Sequence, residues 1–320
     1  MALAPFETSL RTLEFNSTFE MLLQQETSKL RSLVTSKGYR GKEAVAINQM
    51  GALQFKMPAG RYSPQQFQIA QFTRPWVTPV PRSLTVPVDE FDLLNSIADP
   101  KGVISQSAMA AANRLYDDQI IAAAFGGALR GEDTSSQTTE TFPLTASTTT
   151  SASAPYGGFV IANTFGSGAS SGLTANKLRE MQRVARHYEN NLDAESVCLV
   201  AGSQQESDLL GQTQIIDKNF NAGMVFESGR VDRVLGINLV YSERLQTSSS
   251  NSLRNCIGFV RSGLHMGIWK ELDTRIDQRV DLESDPWQLY SMIQVGACRT
   301  QLGKVFQVNC ADTTGSDITP

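Results

Sequence analysis

The sequence predicts an α+β protein from three observations. The stretch from Pro58 to Pro87 holds half of the chain's 12 prolines, the run from Ile104 to Leu129 has helical spacing, and the second half alternates short strands with short helices. Proline lacks a backbone donor and fixes φ, which excludes it from helix interiors and central strands. With 320 residues, 41% of them hydrophobic, the chain is long enough for one large domain or two modest ones.

Composition and charge exclude several classes of protein. The start of the chain has no basic segment followed by an apolar run, so secretion and membrane spanning are not expected and folding should occur in the cytoplasm. A net charge of −4 gives no basic footprint for sequence-specific nucleic-acid binding. The cysteines never form C-x-x-C, which favours reduced core thiols over disulfides or zinc; they are Cys198, Cys256, Cys298 and Cys310.

The first ninety or so residues are predicted to form an arm and an extended loop. The arm, residues 1–48, includes one short helix from Ser17 to Leu33. Strand-like alternation at Val45–Gly51 and Leu84–Val88 predicts the two legs of a long hairpin. The segment between these legs is too apolar for a disordered linker and too long for an ordinary loop, so we expect it to lie on another molecule.

A long helix and a serine- and threonine-rich tract follow the loop. Asp99-Pro100 opens the helical run from Ile104 to Leu129, which would span roughly 35 to 40 Å at 1.5 Å per residue. Its many alanines favour helix and allow close packing by other segments. The tract from Gly131 to Pro155 is predicted to be a flexible or strand-like surface loop.

The next part of the chain has an α/β rhythm. Strands are predicted at 158–165, 197–201 and 256–260, with a strand, turn and strand over 229–241. Thr174 is predicted to cap a helix, and the capping box of Ser203 to Glu206 to open another. The apolar face of the first of these helices is predicted to comprise Leu178, Met181, Ala185 and Tyr188.

Near the C-terminus, the alternating pattern of residues 275–283 predicts one long strand with a charged face. The charged positions are Arg275, Asp277, Arg279, Asp281 and Glu283. Two explanations stay open: a solvated face, or charge pairing across subunits. Tyr290–Arg299 and Lys304–Cys310 are predicted to be companion strands of the same sheet.

The sequence offers no catalytic, cofactor or metal site that we assign. The two histidines, His187 and His265, stand outside any metal or triad pattern and are predicted to be structural. The turn Gly166–Gly172 mimics a dinucleotide-binding loop, but no acid follows the next strand to hold a ribose. Asp117 and Asp118 point about 100° apart on a helix, so solvation or a salt bridge explains them better than a metal pair.

The order of these parts resembles the Hong Kong 97-type fold of tailed-bacteriophage major capsid proteins. The segments that carry the resemblance are Asp99–Gly131, Gly229–Leu245 and Val295–Asp312. It implies an N-terminal arm (1–48), an extended β-hairpin loop (49–90), a peripheral domain with a spine helix and long strands (91–155 and 273–320) and an α/β axial domain (156–272).

The resemblance further implies a non-catalytic subunit without cofactors that assembles into hexamers and pentamers of an icosahedral head. The head would enclose double-stranded DNA without sequence-specific binding, and scaffolding, portal and cement or decoration proteins would be partners. The implied location is the virion, after assembly in the host cytoplasm. Gly51, Gly60 and Gly131 would be compliant points during expansion. Arg and Trp anchor interfaces disproportionately. The predicted subunit contacts are Arg61, Tyr62, Phe67, Phe72, Arg74, Trp76, Arg82, Arg275, Asp277, Arg279, Asp281 and Glu283.

Two alternatives remain open at this point. The first is the shell subunit of an encapsulin-like protein compartment, which would share the self-assembly but enclose enzymes. The second is a nucleotide-dependent enzyme that uses the turn Gly166–Gly172.

Overall fold

The computed structural model describes 24–57, 60–62, 64, 67–88, 101–133, 135–142, 158–166, 169–212, 215, 230–247, 253–279, 281 and 286–312. Contacts divide the chain into two compact units. The first draws on Met1–Thr27, Pro81–Arg114 and Lys270–Gln294, and the second on Ser28–Val80, Leu115–Trp269 and Val295–Pro320.

Helices and strands are both present, as the predicted α+β class requires. The helices are α1 (Lys101–Phe125), α2 (Ala175–His187) and α3 (Ser203–Leu210). The strands are β1 (Thr35–Gly38), β2 (Ala44–Val45), β3 (Gln49–Met50), β4 (Phe72–Val77), β5 (Val80–Val88), β6 (Ala128–Gly131), β7 (Thr138–Glu140), β8 (Val160–Ile161), β9 (Val197–Ala201), β10 (Arg233–Val234), β11 (Ile237–Tyr241), β12 (Leu253–Val260), β13 (Leu264–Gln278), β14 (Trp287–Arg299) and β15 (Val305–Ala311).

The strands of the described residues form three sheets. One has the order β1-β13-β14-β5, the second β10-β11-β9-β12-β15-β8, and the third β2-β4-β6-β7 with β3 also paired to β4. In the six-stranded sheet, β9 is parallel to β11 and antiparallel to β12, and all five of its residues are buried. Helix α2 buries Leu178, Met181 and Val184, and Thr174 caps it as predicted. The α/β character predicted for this part of the chain is confirmed.

Helix α1 ends at Phe125, four residues earlier than the predicted end at Leu129. Gly126 closes the last turn through its N–H, which donates to the Ala122 carbonyl at 2.9 Å. Residues 128–131 then form β6, which pairs with both β4 and β7. Two consecutive glycines favour a break in the helix, and the sheet provides partners for the residues after it.

The return leg of the extended loop is β4, not the predicted Leu84–Val88. Met50 pairs with Phe72 at the base of the loop, while Leu84 and Val88 belong to β5 in another sheet. Pro75 lies inside β4, which contradicts the exclusion of proline from central strands. The Pro75 carbonyl accepts from Ala46 N–H at 3.0 Å, just where β2 has ended. Because the N and C=O of one strand residue point the same way, the missing donor faces the gap between β2 and β3.

Several other predicted elements are wrong in extent. The predicted helix Ser17–Leu33 has only a 3-10 turn, Arg31–Leu33, in its described part, and residues 17–23 lie outside the described residues. The predicted strand 158–165 is strand only at Val160–Ile161. The charged strand ends at Gln278, because Arg279 N–H donates to the Pro286 carbonyl and Asp281 is in a turn. Strand β15 pairs with β12 and β8, so it belongs to a different sheet from β14.

Two helix details also differ from prediction. Gly202, not Ser203, is the N-cap of α3, and Gln205 Oε1 accepts from Gly202 N–H at 3.0 Å. Tyr188 is the C-cap of α2 rather than part of its buried face, and its ring stacks on Phe159 at 4.7 Å. Val184 takes the buried position instead.

We predict that Gly296→Ala destabilises the second unit. A Cβ at Gly296 in β14 would lie 2.1 Å from the Thr78 carbonyl oxygen, a backbone atom that cannot move alone. Overpacking of this kind costs about 1–3 kcal/mol. Urea unfolding should show this loss, whereas Gly102→Ala in α1, where a Cβ meets nothing within 4 Å, should not lower stability. Equal stability of the two variants would contradict the prediction.

Candidate assembly surface

The extended loop, residues 51–71, exposes large apolar side chains that this chain does not cover. Five of them are at least 86% exposed: Phe55, Met57, Tyr62, Phe67 and Ile69. Single exposed apolar residues are ordinary, but a concentration of this kind marks a surface that contacts another molecule. The prediction that this segment lies on another molecule therefore rests on its sequence and on its exposure.

Backbone hydrogen bonds hold the base of the extended loop. Gly51 N–H donates to the Gln71 carbonyl at 2.8 Å, and Gln49 pairs with Thr73. Further out, Gln54 N–H donates to Gln68 Oε1 at 3.2 Å, so the two sides of the loop are also joined away from its base. The extended loop is therefore a projection whose two sides are connected by hydrogen bonds, and its apolar side chains face outward.

The predicted contact residues of the loop region fall into two groups. Arg61, Tyr62, Phe67 and Phe72 are exposed on or beside the extended loop, and Arg82 is exposed on β5. Two others are partly buried and use their polar groups within the chain: Arg74 donates to the Glu132 carbonyl at 3.0 Å, and Trp76 Nε1 to the Gly131 carbonyl at 3.2 Å. Those two side chains hold β4 against β6 and the residue after it.

The predicted charged contacts near the C-terminus form ion pairs within the chain. Arg275 lies 3.5 Å from Asp273, and Arg279 lies 2.6 Å from Asp281. The Arg279 hydrogen bond lowers the pKa of Asp281 to about 2. Exposed pairs such as these contribute little to stability. Asp277 is exposed, and Glu283 lies outside the described residues. These local pairs fit a solvated face, and pairing across subunits stays a prediction.

Asp117 anchors the segment that enters the second unit. Its carboxylate is fully buried and accepts from Ser28 Oγ at 2.6 Å, from Lys29 N–H at 3.1 Å and from Leu30 N–H at 3.1 Å. Asp117 uses the N–H groups of Lys29 and Leu30, which an α-helix would pair with its own carbonyls, so the predicted helix is interrupted at these residues. Its neighbour Asp118 is exposed and pairs with Arg244 at 2.5 Å, as predicted for a surface salt bridge.

Arg299 is fully buried and joins three parts of the second unit. Its guanidinium donates to the Ala124 carbonyl at 2.9 Å, to the Gly126 carbonyl at 3.0 Å and to the Glu140 carbonyl at 3.0 Å. Two of these carbonyls are at the C-terminal end of α1, where the helix dipole favours a cation. Burial lowers the pKa of Arg299. The guanidinium therefore determines where α1 stops and where β7 lies beside it.

His265 is buried between two hydroxyl groups of residues 35–39. Thr35 Oγ1 donates to the Leu264 carbonyl at 2.9 Å and lies 3.0 Å from His265 Nδ1, so Nδ1 must supply the proton of the second bond. Tyr39 Oη lies 2.9 Å from Nε2 and 3.3 Å from the Val45 carbonyl; Nε2, at the shorter distance and without a proton, is the better acceptor for the hydroxyl. Burial, and secondarily the charge of Lys37, lowers the pKa of His265. A neutral imidazole thus fastens β1 to β13.

The glycine turn before α2 binds a lysine of its own chain. Lys177 Nζ donates to the carbonyls of Ser171 and Gly172, both at 2.8 Å, and of Asn309 at 3.0 Å. The Asp208 carboxylate, whose pKa is raised by burial, accepts from Leu173 N–H at 3.1 Å. The end of this turn therefore has the Ser171 and Gly172 carbonyls engaged within the chain, and the Asp208 carboxylate of α3 lies against it.

The prediction that solvation or a salt bridge explains Asp117 is wrong, because its carboxylate is buried and accepts from the segment at residues 28–30. The buried roles of Arg299 and Lys177 were missed by sequence reasoning. An arginine within an apolar strand is a signal of a buried polar group. All four cysteines are buried thiols in the core and form no disulfide, as predicted. In the described ranges, no three His, Cys, Asp or Glu side chains gather into a possible metal site. None of the described helices has the length and apolarity to cross a membrane.

Comparison with known proteins identifies the family. The sequence model of the phage capsid proteins matches residues 10–312, which is nearly the whole chain. The chain belongs to the phage capsid protein family. The capsid protein has no significant match among curated protein sequences.

Solved capsids have the same fold as this capsid protein. It superposes on the capsid of cyanophage Pam1 with a TM-score of 0.69 at 15% identity, covering 97% of this chain and 98% of the other. The capsid of cyanophage P-SCSP1u gives a TM-score of 0.68 at 14% identity, covering 96% of this chain and 94% of the other. The mature capsid of bacteriophage PhiM1 gives a TM-score of 0.64 at 14% identity, covering 95% of this chain and 93% of the other. The predicted Hong Kong 97-type fold is confirmed.

Removal of the Asp117 charge should destabilise the capsid protein far more than removal of its neighbour's. Asp117→Asn leaves at least one of three buried donors without its carboxylate, which costs about 1–3 kcal/mol. Asp118→Asn is the matched control, since it breaks an exposed pair worth under about 1 kcal/mol. Urea denaturation of both variants measures the difference. Equal midpoints would show that Asp117 does not anchor residues 28–30.

We predict that His265 makes the capsid protein less stable in acid. Because its pKa is lower in the folded state than in the unfolded state, the unfolded chain binds the proton first. The free energy of unfolding should therefore fall as the pH drops below about 6.5, the ordinary pKa of histidine. His265→Gln should reduce the loss of thermal stability between about pH 7.5 and pH 5.5.

The exposed His187, the other of the chain's two histidines, provides the control for this measurement. His187→Gln should leave the pH dependence of the melting temperature as in the wild type. If both substitutions change that dependence equally, the buried imidazole is not its source.

Proposed function

We propose that this phage capsid protein assembles through hexamers and pentamers into an icosahedral head that encloses double-stranded DNA. The observation that supports this proposal is the exposed apolar surface of the extended loop, with Phe55, Met57 and Phe67 between 86% and 109% exposed. Copies that bury this surface on one another gain the hydrophobic free energy that a single chain leaves unused.

In this proposal the extended loop lies over an adjacent subunit. Residues 1–48 form the arm, 91–155 and 273–320 the peripheral domain, and 156–272 the axial domain, with β15 joining the sheet of the axial strands. Of the predicted loop region 49–90, β5 pairs in another sheet, and residues 51–71 form the extended loop itself. Arg61, Tyr62, Phe67, Phe72 and Arg82 are exposed and available for contacts. Scaffolding, portal and cement or decoration proteins are the expected partners, and assembly takes place in the host cytoplasm. The subunit acts by binding copies of itself and has no enzymatic role.

Gly51 and Gly60 are proposed as points where the backbone bends when the shell expands. A Cβ at Gly60 would meet nothing within 4 Å. Gly131 is different, because it pairs with Arg74 within β6 and a Cβ there would lie 2.7 Å from the Ser136 carbonyl oxygen. Its lack of a side chain permits close strand packing, so we do not retain it as a compliant point.

Substitution of three apolar loop residues should block assembly and leave the fold intact. Each buried Phe or Met side chain stabilises a contact by about 1.5–3 kcal/mol, so Phe55→Ser, Met57→Ser and Phe67→Ser together remove at least about 4 kcal/mol per loop. That loss raises the concentration needed for assembly about a thousandfold. Negative-stain electron microscopy and solution mass should show rings or shells for the wild type and single subunits for the variant.

A control with the same number of exposed apolar residues tests whether the loop is special. Met109→Ser, Phe165→Ser and Leu235→Ser change side chains that are 58%, 38% and 46% exposed outside the loop. This control should assemble at wild-type concentration. Shells formed equally well by the loop variant would contradict the proposed role of the extended loop.

A further inference from the structure

The outer face of α2 carries three exposed arginines. Arg179, Arg183 and Arg186 are spaced four and three residues apart, which places them on one side of the helix, opposite the buried Leu178, Met181 and Val184. We call these three residues the arginine face. It borders a groove of about 540 Å³ that is closed on its other side by Phe165 and Gly166.

The arginine face has more positive charge than its surroundings neutralise. Glu180 is the carboxylate of this groove, and both of its oxygens bind Arg183, at 2.8 and 2.5 Å. Arg179 contacts a neutral group, Asn176 Oδ1, at 3.5 Å. Across the described part of the chain, no carboxylate forms an ion pair with Arg179 or Arg186. Arg179 and Arg186 therefore have no ion-pair partner among the described residues, although Asp193 and Glu195 line a second groove beside Arg186 and the protein has a net charge of −4.

The chemistry of the groove fits phosphate groups. Guanidinium is planar, always charged and weakly hydrated, and it binds phosphate oxygens through two parallel N–H donors. The neutral amide of Asn176 lines the same groove and adds a donor without sequence preference, whereas the Gln182 amide already donates to the Leu235 carbonyl at 2.6 Å. Arg179 and Arg186 are about 10 Å apart along the helix axis at 1.5 Å per residue. That separation corresponds to about three phosphate steps on one strand of DNA.

We propose that the arginine face binds the phosphate backbone of double-stranded DNA without reading its sequence. The proposal rests on the proposed function, in which this protein encloses DNA, and it assigns the contact to one face of α2. Several exposed carboxylates of the same unit already bind arginines of their own chain, so a second copy has fewer acidic groups to offer this face than a phosphate backbone has. Asp118 binds Arg244 at 2.5 Å, Glu243 binds Arg254 at 2.6 Å, and Asp232 lies 2.8 Å from Arg230.

A DNA-binding titration of the full-length chain tests this assignment. The affinity for fluorescent duplexes of two unrelated sequences is measured between about 50 and 200 mM salt for the wild type and for Arg179→Gln, Arg183→Gln, Arg186→Gln combined. Each phosphate contact contributes about 0.9 to the slope of log affinity against log salt. The triple variant should lose about tenfold to a hundredfold in affinity, and its slope should fall by about two to three, equally for both sequences.

The control removes the same charge elsewhere on the surface. Arg40→Gln, Lys42→Gln and Arg230→Gln change three exposed cations, and this variant should keep wild-type affinity and salt slope. Equal losses in both triple variants would show that only the overall charge matters, which would overturn the proposal. Absence of DNA binding by the wild type, or unchanged binding by the arginine variant, would overturn it as well.

Electron microscopy of the same samples separates this proposal from the proposed function. If the arginine variant binds DNA like the wild type but forms no rings or shells, the arginine face contacts another copy of the chain, and the DNA assignment is wrong. If the wild type forms no rings or shells under any condition while the arginine variant loses DNA affinity, the assembly proposal fails and the DNA-binding face stands.

Discussion

The organisation of the second unit depends on one buried cation, the guanidinium of Arg299. It donates to two carbonyls at the end of α1 and to one in β7, and it lies 5.3 Å from the Phe142 ring. A buried charge is costly unless hydrogen bonds replace its hydration. Here the helix dipole, three carbonyls and the Glu140 carboxylate, 4.0 Å away, do so. Together with the two glycines after the helix, this side chain positions the end of α1, the turn after it and the strand beside it.

The other buried charges follow the same principle. Asp117 accepts from the backbone of residues 29 and 30, and Lys177 donates to the backbone of residues 171, 172 and 309. Most of these peptide groups lie in irregular chain, where buried backbone groups need a partner outside helix and sheet; Asn309 is the exception, because it lies in β15. Charged side chains thus determine the path of segments that secondary structure cannot position.

A capsid subunit needs a packed core that supports its contact surfaces, and it needs contact surfaces that the single chain leaves exposed. The six-stranded sheet and its helix α2 provide the packed core, with β9 buried throughout. The extended loop provides an exposed surface, since its large apolar side chains stay in water until another molecule covers them. The outer face of α2 carries three exposed arginines, and Glu180 is the carboxylate that lines their groove. Under our proposals, other copies of the chain cover the extended loop, and DNA phosphates bind the arginines.

The sequence by itself determined the elements that depend on local pattern. The proline-rich loop, the alanine-rich helix, the Thr174 cap and the buried strand at 197–201 follow from residue spacing and backbone chemistry, and their order was enough to identify the fold. Only the tertiary structure decided which strands pair, since β4 rather than β5 returns the loop and β15 joins β12 rather than β14. It also decided that Asp117 and Arg299 are buried. The physical reason is that pairing and burial depend on residues distant in the chain, whereas helix and turn propensities depend on neighbours.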